Sequence, residues 1–237
     1  MAKRSQVSEG MLPPPDAPHY EGHRERLRAR FLDAGAQALS DYELLELVLF
    51  AGIPRRDVKP LAKVLLARFG TFADVIAAPR ERLKELLGAG AVSQLKIVEA
   101  AALRLSRTRV IGKPALSSWS ALLDYCHSAM ARCETEEFRV LFLDRKNVLI
   151  ADQVQSEGTV DHAPVYPREI VKRALALNAS ALILVHNHPS GDPEPSRADI
   201  AMTREIVAAA ASLKIQVHDH LVIGRAGHAS FKSLGLL

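Results

Sequence analysis

Cysteine is scarce in this chain of 237 residues. The two cysteines, Cys126 and Cys133, lie seven positions apart in a stretch with helical character. A disulfide-rich secreted domain needs a larger, paired set of cysteines, and a structural zinc knuckle needs closely spaced cysteine pairs. Neither class fits this sequence, so we expect both cysteines to be reduced thiols.

Long apolar runs are missing as well. No run of 18 apolar residues occurs, and the opening residues, Met-Ala-Lys-Arg-Ser-Gln, lack the apolar core of a signal peptide. We therefore expect a cytoplasmic protein with no membrane partner. The net charge is +4, from 31 Lys and Arg against 27 Asp and Glu. This mildly basic balance is compatible with nucleic-acid contact but does not require it.

Two histidines follow a short apolar segment, Ala-Leu-Ile-Leu-Val at residues 181–185, which has the composition of a buried strand. Side chains two apart on a strand point to the same side, so His186 and His188 leave the strand end as a pair of imidazoles. A loop with prolines and a glycine comes next, and Ser196 then begins an amphipathic helix that carries Asp199. Two histidines and an aspartate can hold one zinc ion per chain and leave a fourth position for water, as in catalytic sites.

Each part of this stretch also has a simpler explanation. A His-x-His pair at a strand end is commonly unrelated to metal, and Ser-Arg-Ala-Asp at residues 196–199 fits a helix capping box. A cap explains neither histidine, and both features occur at one loop, so we favour the metal site. A second polar cluster, His218, Asp219 and His220, could support the ligands or form another metal cluster, but its place in a predicted strand favours packing.

The pattern His-x-His, seven residues, Ser, two residues, Asp resembles the JAMM motif of MPN-domain metalloproteases. The longer string at residues 186–199, His-Asn-His-Pro-Ser-Gly-Asp-Pro-Glu-Pro-Ser-Arg-Ala-Asp, resembles the bacterial RadC branch of that family (UPF0758-like), historically called DNA repair proteins. The resemblance implies an α/β domain of MPN (JAMM, cytidine-deaminase-like) fold. It also implies a zinc-dependent metallopeptidase or isopeptidase that acts on a protein or peptide substrate.

The MPN pattern further implies a glutamate on a neighbouring strand, which acts as general base toward water activated by zinc. Three acids, Glu134, Glu136 and Glu137, precede the alternating strand that begins at Phe138. Glu137 best matches the family position because the strand starts immediately after it, although the choice among the three stays open. Ser196 matches the motif serine, whose hydroxyl would donate to the developing oxyanion. Glu137 and Ser196 are therefore the predicted catalytic residues.

The first half of the chain has a helical sequence pattern, in contrast to the strand and loop around the histidines. Residues 1–20 are proline-containing and poor in apolar residues, which predicts a flexible tail, and residues 21–107 have the period of an all-α domain. Gly88 and Gly90 lie between two predicted helices, as in a helix-hairpin-helix, and Lys96 follows a turn later. Such a turn could contact DNA phosphates through backbone N–H groups without reading sequence. Glycine is equally a good residue for a turn between helices, so a purely structural role of these glycines stays open as the alternative to DNA contact.

The basic segment at residues 108–114 contains a glycine and a proline and is the predicted linker. Beyond it, residues 115–237 interleave strand-like and helix-like patterns, which predicts the α/β domain. The predicted fold is thus α/β overall: an N-terminal all-α helix-hairpin-helix-like domain followed by the MPN/JAMM domain. Three functions remain open: a zinc peptidase, a DNA-associated repair or recombination factor without peptidase turnover, and a zinc-binding MPN scaffold.

Overall fold

The structure, a computed structural model, describes residues 22–115, 117–158 and 165–237. The tail predicted at residues 1–20 lies outside this part of the chain. Two compact units are present: one comprises the described residues up to Val75 together with Leu86–Gln94, and the other comprises Ile76–Glu85 together with Leu95–Leu237. Within the described residues, no helix combines the length and apolar character needed to cross a membrane.

The first half of the chain is helical, as predicted. Its helices are α1 (His23–Ala34), α2 (Asp41–Gly52), α3 (Lys59–Phe69), α4 (Phe72–Ala77), α5 (Arg80–Lys84) and α6 (Ala89–Thr108), with a 3₁₀ turn at Ala36–Ala38. Helix α2 begins with a complete capping box, in which Ser40 and Glu43 each satisfy the other's backbone N–H. The apolar faces of α2 and α3 bury Leu45, Leu49 and Leu65 completely. The 3.6-residue pattern therefore predicted these helices correctly.

The second half is an α/β domain, which confirms the predicted fold class. Its elements are α7 (Trp119–Met130), β1 (Glu137–Leu143), β2 (Leu149–Glu157), α8 (Pro167–Ala176), β3 (Ala181–Asn187), α9 (Arg197–Ala211), β4 (Gln216–Ile223) and β5 (His228–Ser230). The sheet has the order β2-β1-β3-β4-β5. Strands β3 and β4 pair in parallel, joined through α9, and the other neighbours pair antiparallel. Strand β3 is central and all seven of its residues are buried.

Two apolar cores cover the two faces of the sheet. On one face, α7 contributes Leu122, Tyr125, Cys126 and Met130, which pack with Ile183 and Val185 of β3. On the other face, α8 and α9 contribute Ile170, Ala174, Ile206 and Ala210, which pack with Leu182 and Leu184. Successive β3 residues therefore alternate between the α7 face and the α8/α9 face. Among the described residues, neither cysteine is in a disulfide.

The predicted linker contains residues that pack with the sheet. Val110 and Ala115 are buried in the core on the α7 face. The segment between them runs beside the start of β2: Gly112 N–H donates to the carbonyl of Leu149 at 2.9 Å, and Leu149 N–H donates to the carbonyl of Lys113 at 3.1 Å. At least the second half of the 108–114 segment is thus held by the α/β domain. The division into folding units at 21–107, 108–114 and 115–237 stays a prediction that fragments can test.

Candidate metal site at the end of the third strand

The histidine pair lies where β3 ends. His186 lies beside Phe138 of β1 and Val222 of β4 in the sheet register. The alternation along β3 directs its side chain to the α8/α9 face, and it is fully buried. The sheet pairing continues one residue past the strand, because His188 N–H donates to the carbonyl of Ile223 at 3.0 Å. Both imidazoles therefore extend from a rigid strand end toward the same side.

Asp199 reaches the histidines from the first turn of α9. The Nε2 atoms of His186 and His188 are 3.0 Å apart, and each lies 3.4 Å from a carboxylate oxygen of Asp199. Ligands of tetrahedral zinc, at bond lengths of about 2.0–2.1 Å, are separated by about 3.3 Å. The potential ligand atoms all lie within 4.8 Å of one another. The three residues thus fit a single small cation such as zinc.

The hydrogen bonds behind His186 determine which of its nitrogens carries hydrogen. The Thr203 hydroxyl donates to the carbonyl of Asp199 at 2.6 Å, so its oxygen accepts from Nδ1–H of His220, also at 2.6 Å. His220 Nε2 then accepts from Nδ1–H of His186 at 2.8 Å. This chain of donors leaves the Nε2 lone pair of His186 directed toward Asp199. Phe138 stacks on the His186 ring at a centroid distance of 6.3 Å.

The ring of His188 is oriented in the same way as that of His186, but by a backbone carbonyl. Its Nδ1–H donates to the backbone carbonyl of Asp192 at 2.8 Å, which leaves Nε2 facing the Nε2 of His186. Two lone pairs at this separation repel each other unless a proton or a metal cation lies between them. Metal-ligating histidines commonly donate their other ring N–H to a carbonyl or similar acceptor, and both histidines here make such a bond.

The charges of the cluster depend on one another. Burial alone would raise the pKa of Asp199, but its contacts with His186, His188 and Ser196 outweigh that effect and hold the pKa far below its usual range. The hydrogen bond to Asp199 raises the pKa of His188, against the opposing effect of burial. Desolvation lowers the pKa of His220 well below its ordinary value, which keeps this ring neutral. Metal binding must therefore displace the proton that His188 and Asp199 favour between them.

Ser196 caps α9 and borders the site. Its Oγ accepts from Asp199 N–H at 3.1 Å, and a carboxylate oxygen of Asp199 accepts from Ser196 N–H at 2.7 Å. The capping box and the metal-site geometry therefore occur together, and neither excludes the other. Within the described part of the chain, the Ser196 hydroxyl hydrogen has no acceptor, so it can be donated to a bound group.

An open pocket of about 510 Å³ lies in front of these residues. Its walls come from the segment before β1, the loop after β3, the first turn of α9 and the turn after β4. They consist of Cys133, Glu134, Glu136, His188, Pro189, Ser190, Ser196, Ala198, Asp199 and Arg225. A solvent-accessible pocket beside three potential metal ligands leaves room for water and a substrate.

Comparison with known proteins agrees with this geometry. The RadC-like JAB domain family matches residues 116–236, and the UPF0758 N-terminal family matches residues 21–95. The chain belongs to the RadC-like JAB domain family. It is 66% identical to a UPF0758 protein of Rhodobacter capsulatus over 89% of this chain and 100% of that one. It is 62% identical to a UPF0758 protein of Ruegeria pomeroyi over 91% of this chain and 97% of that one.

Within the RadC-like domain, Glu137 does not join the metal site. Its carboxylate accepts two hydrogen bonds from Arg139, at 2.9 and 2.7 Å. Arg139 also pairs with Asp152, which is bonded to the Tyr125 hydroxyl on the α7 face of the sheet. The histidines lie on the opposite face of the sheet, so Glu137 as the base stays a prediction that the contacts of its carboxylate do not favour.

Glu136 lies on the side of the metal site instead. It lines the pocket with His188, and its charge is one of the influences that raise the pKa of that histidine. The buried side chain of Asn187 brackets it: Oδ1 accepts from Glu137 N–H at 2.9 Å, and Nδ2 donates to the carbonyl of Thr135 at 3.1 Å. The asparagine between the two histidines thus fixes the backbone on both sides of Glu136. Sequence reasoning assigned Asn187 no role. The signal that could have indicated one is alternation along β3, which turns Asn187 to the face opposite the histidines.

The polar cluster on β4 divides into different roles. His218 donates to the side-chain oxygen of Asn147 at 2.6 Å, and Asp219 accepts from the Ser230 hydroxyl at 2.6 Å and from Lys232 N–H at 3.0 Å. These contacts join strands and turns, in agreement with the predicted packing role. His220, the third member, accepts from Nδ1–H of His186 and so orients that ring, a role that goes beyond packing.

Of the two glycines proposed for DNA contact, Gly90 has a packing role. Gly88 directly precedes α6, and Gly90 lies in its first turn. A Cβ on Gly90 would lie 3.1 Å from the carbonyl oxygen of Gly52, and a Cβ on Gly52 would lie 2.5 Å from the Cα of Ala91. The absence of side chains at Gly52 and Gly90 therefore lets the end of α2 approach the start of α6.

The lysine proposed for the same contact is bonded elsewhere. Lys96 Nζ donates to the carbonyl of Ile76 at 3.1 Å and pairs with Glu99 at 2.9 Å. A phosphate would have to compete with both partners for this ammonium group. DNA contact through Gly88, Gly90 and Lys96 stays a prediction.

Proposed function

We propose that this chain is a zinc-dependent amide hydrolase, a metallopeptidase or isopeptidase. One observation carries the proposal: the Nε2 lone pairs of His186 and His188 converge with the Asp199 carboxylate at distances that suit one tetrahedral cation. Thiolate is missing from this ligand set, and a mixed imidazole and carboxylate set with an open side is typical of catalytic zinc.

Two further groups of the pocket, Glu136 and Ser196, have a task in amide hydrolysis. Zinc, when bound, supplies Lewis acidity and makes water more acidic. Glu136 takes the proton from the attacking water and delivers it to the leaving amine. The Ser196 hydroxyl donates to the oxygen of the scissile carbonyl as negative charge develops there, while its lone pair continues to accept from Asp199 N–H.

The shape of the pocket favours a peptide over a small metabolite. It is not an enclosed cavity, and the exposed Ser190 is among its lining residues, so an extended chain can cross it without being enclosed. A protein or peptide substrate is therefore the partner that we propose. The site lies wholly within residues matched by the RadC-like family.

The test begins with the metal content of the purified full-length chain, which we expect to be one zinc ion per chain. A peptide library is then incubated with the protein, with and without chelator, and cleavage is read by mass spectrometry. Cleavage should stop on chelation and return when zinc is added back. A fully zinc-loaded protein that cleaves no amide would refute the hydrolase proposal and favour the scaffold alternative.

The base is tested separately, with Glu136→Gln. This variant keeps the shape of the side chain but cannot accept a proton near neutral pH, so its rate should fall by roughly 10²–10⁴-fold while zinc is retained. The matched control is Glu134→Gln, because Glu134 is exposed and pairs with Arg82. We expect the control to keep nearly full activity. Equal loss in both variants would remove the special role of Glu136.

A further inference from the structure

One cation borders the pocket without an assigned task. Arg225 lies in the turn that follows β4 and is exposed. Among the described residues of the pocket wall it is the single Lys or Arg. No hydrogen bond or ion pair joins its guanidinium to any residue of the described ranges. Its five N–H donors therefore remain available to a bound group.

The backbone that carries Arg225 is held firmly. Its N–H donates to the carbonyl of Gly191 at 3.1 Å, and Gly224 N–H donates to the carbonyl of Gly227 at 2.8 Å. A Cβ on Gly224 would lie 2.4 Å from the Gly191 oxygen and 2.9 Å from Cδ of Pro193. The turn after β4 is thus packed directly on the loop that follows the histidines. The guanidinium is attached to a fixed point of the site, and only its own side-chain torsions are free.

The charges of the pocket leave Arg225 available for a substrate. A bound zinc ion carries two positive charges, which the carboxylates of Asp199 and Glu136 balance. Glu134, the third acid of the wall, pairs with Arg82. The charge of Arg225 is then the one in the pocket wall that has no counterion in the described structure. An anionic group on the substrate would supply the missing counterion of Arg225.

We propose that Arg225 is a specificity residue that binds a carboxylate of the peptide substrate beside the scissile amide. This inference rests on the proposed hydrolase function and adds the chemistry of the substrate to it. A guanidinium binds a carboxylate through two parallel hydrogen bonds, which fixes both position and orientation. The carboxylate can come from the C-terminus of the peptide or from an Asp or Glu side chain.

The test measures binding apart from turnover. Full-length, zinc-loaded protein in the Glu136→Gln background keeps peptides intact, and NMR titration gives their dissociation constants. One probe pair is acetyl-tetra-alanine with a free C-terminal carboxylate or with a C-terminal amide. The other is an acetylated, amide-capped tetrapeptide of alanine with Glu or Gln at each position in turn. In one of the two pairs, the charged member should bind about ten-fold more tightly.

Arg225→Gln should abolish that preference, and Arg225→Lys should retain only part of it, because an ammonium cannot form the paired contact. Arg197→Gln is the matched control: it removes the same charge from an exposed residue of α9 that does not line the pocket. It should keep the preference. A preference in the first probe pair identifies the terminal carboxylate as the ligand, and one in the second identifies an acidic side chain.

The inference is overturned if the protein distinguishes neither pair, or if the preference survives Arg225→Gln. Cleavage of the same peptides by the protein with Glu136 intact is measured in parallel and reports on the hydrolase function alone. Cleavage without an Arg225-dependent preference leaves the function standing and removes the specificity role. Arg225-dependent binding without any cleavage supports the specificity role and removes the hydrolase function.

Discussion

Replacing Asn187 by alanine should lower the catalytic rate through Glu136, which Asn187 does not touch with a polar atom. Asn187 is 1% exposed and makes two hydrogen bonds, to Glu137 N–H and to the Thr135 carbonyl. Its removal leaves a half-buried N–H without a partner and frees the segment on which Glu136 is mounted. The lost bonds and the unsatisfied donor together should lower the free energy of unfolding by about 2–4 kcal/mol.

The effect on rate follows from geometry. A displacement of a catalytic group by 1 Å can cost roughly 10²-fold, and the whole contribution of a general base is roughly 10²–10⁴-fold. We therefore expect kcat of Asn187→Ala to fall by about 10–100-fold, with a KM change of less than about threefold because the pocket walls persist. Zinc content should be unchanged, since His186 and His188 are held by other bonds.

The assay needs a control of equal instability. Leu122→Ala removes a fully buried side chain of α7 and should cost about 2–5 kcal/mol without moving Glu136. In a double-mutant cycle, Asn187→Ala should add little to the loss already caused by Glu136→Gln. Amide hydrogen exchange at Glu137 gives a readout that is independent of activity and should accelerate. If Asn187→Ala is no slower in catalysis than Leu122→Ala, the positioning argument is refuted.

Three further predictions use the same full-length protein or its fragments. His220→Ala should weaken zinc affinity by about 10–100-fold in a competition titration, because it removes the acceptor behind His186, whereas His186→Ala should abolish stoichiometric zinc. Glu137→Gln should cost about 1 kcal/mol in urea unfolding and leave the cleavage rate unchanged; a large rate loss would return the base role to this residue. A fragment of residues 109–237 should be more stable than residues 116–237 by about 3 kcal/mol, from one buried valine and the lost backbone hydrogen bonds. Equal unfolding midpoints would contradict that estimate.

Sequence alone was sufficient where the signal is local. The apolar run before His186, the two-residue spacing to His188 and the serine that begins α9 all lie within twenty residues of one another. Strand alternation and helix capping act over that distance, so they predicted which side chains converge and the elements that carry them.

The base could not be assigned in the same way. Alternation along β1 separates Glu137 and Arg139 from Phe138, but both faces of this strand are buried, so the pattern does not say which face holds the metal site. That depends on the pairing of Phe138 with His186, nearly fifty residues away in the chain. Once the register is known, Phe138 and Glu136 share the face of the histidines. Long-range register, rather than residue type, therefore underlies the proposal of Glu136 as the base.

Gly88 and Gly90, at the start of α6, illustrate a second limit. A Gly-x-Gly turn serves phosphate contact and close helix packing equally well in sequence. The approach of Gly52 to Gly90 explains the packing use, and it depends on a residue nearly forty positions upstream. Salt-dependent DNA binding by the helical half of the chain would be the observation that restores the other use.

The bonds that orient the ligands also determine when the site forms. His186 is held by His220, His188 by the Asp192 carbonyl, and Asp199 by the Ser196 N–H, so no ligand needs the ion to find its orientation. Such a site forms when the chain folds, without the metal. In a zinc finger, by contrast, the chain folds only when the ion binds. A metal ion bound there would then be able to leave and return without refolding of the site. Stripping it should silence the chemistry while leaving the sheet and its helices intact, and other divalent ions can be loaded afterwards into the same protein.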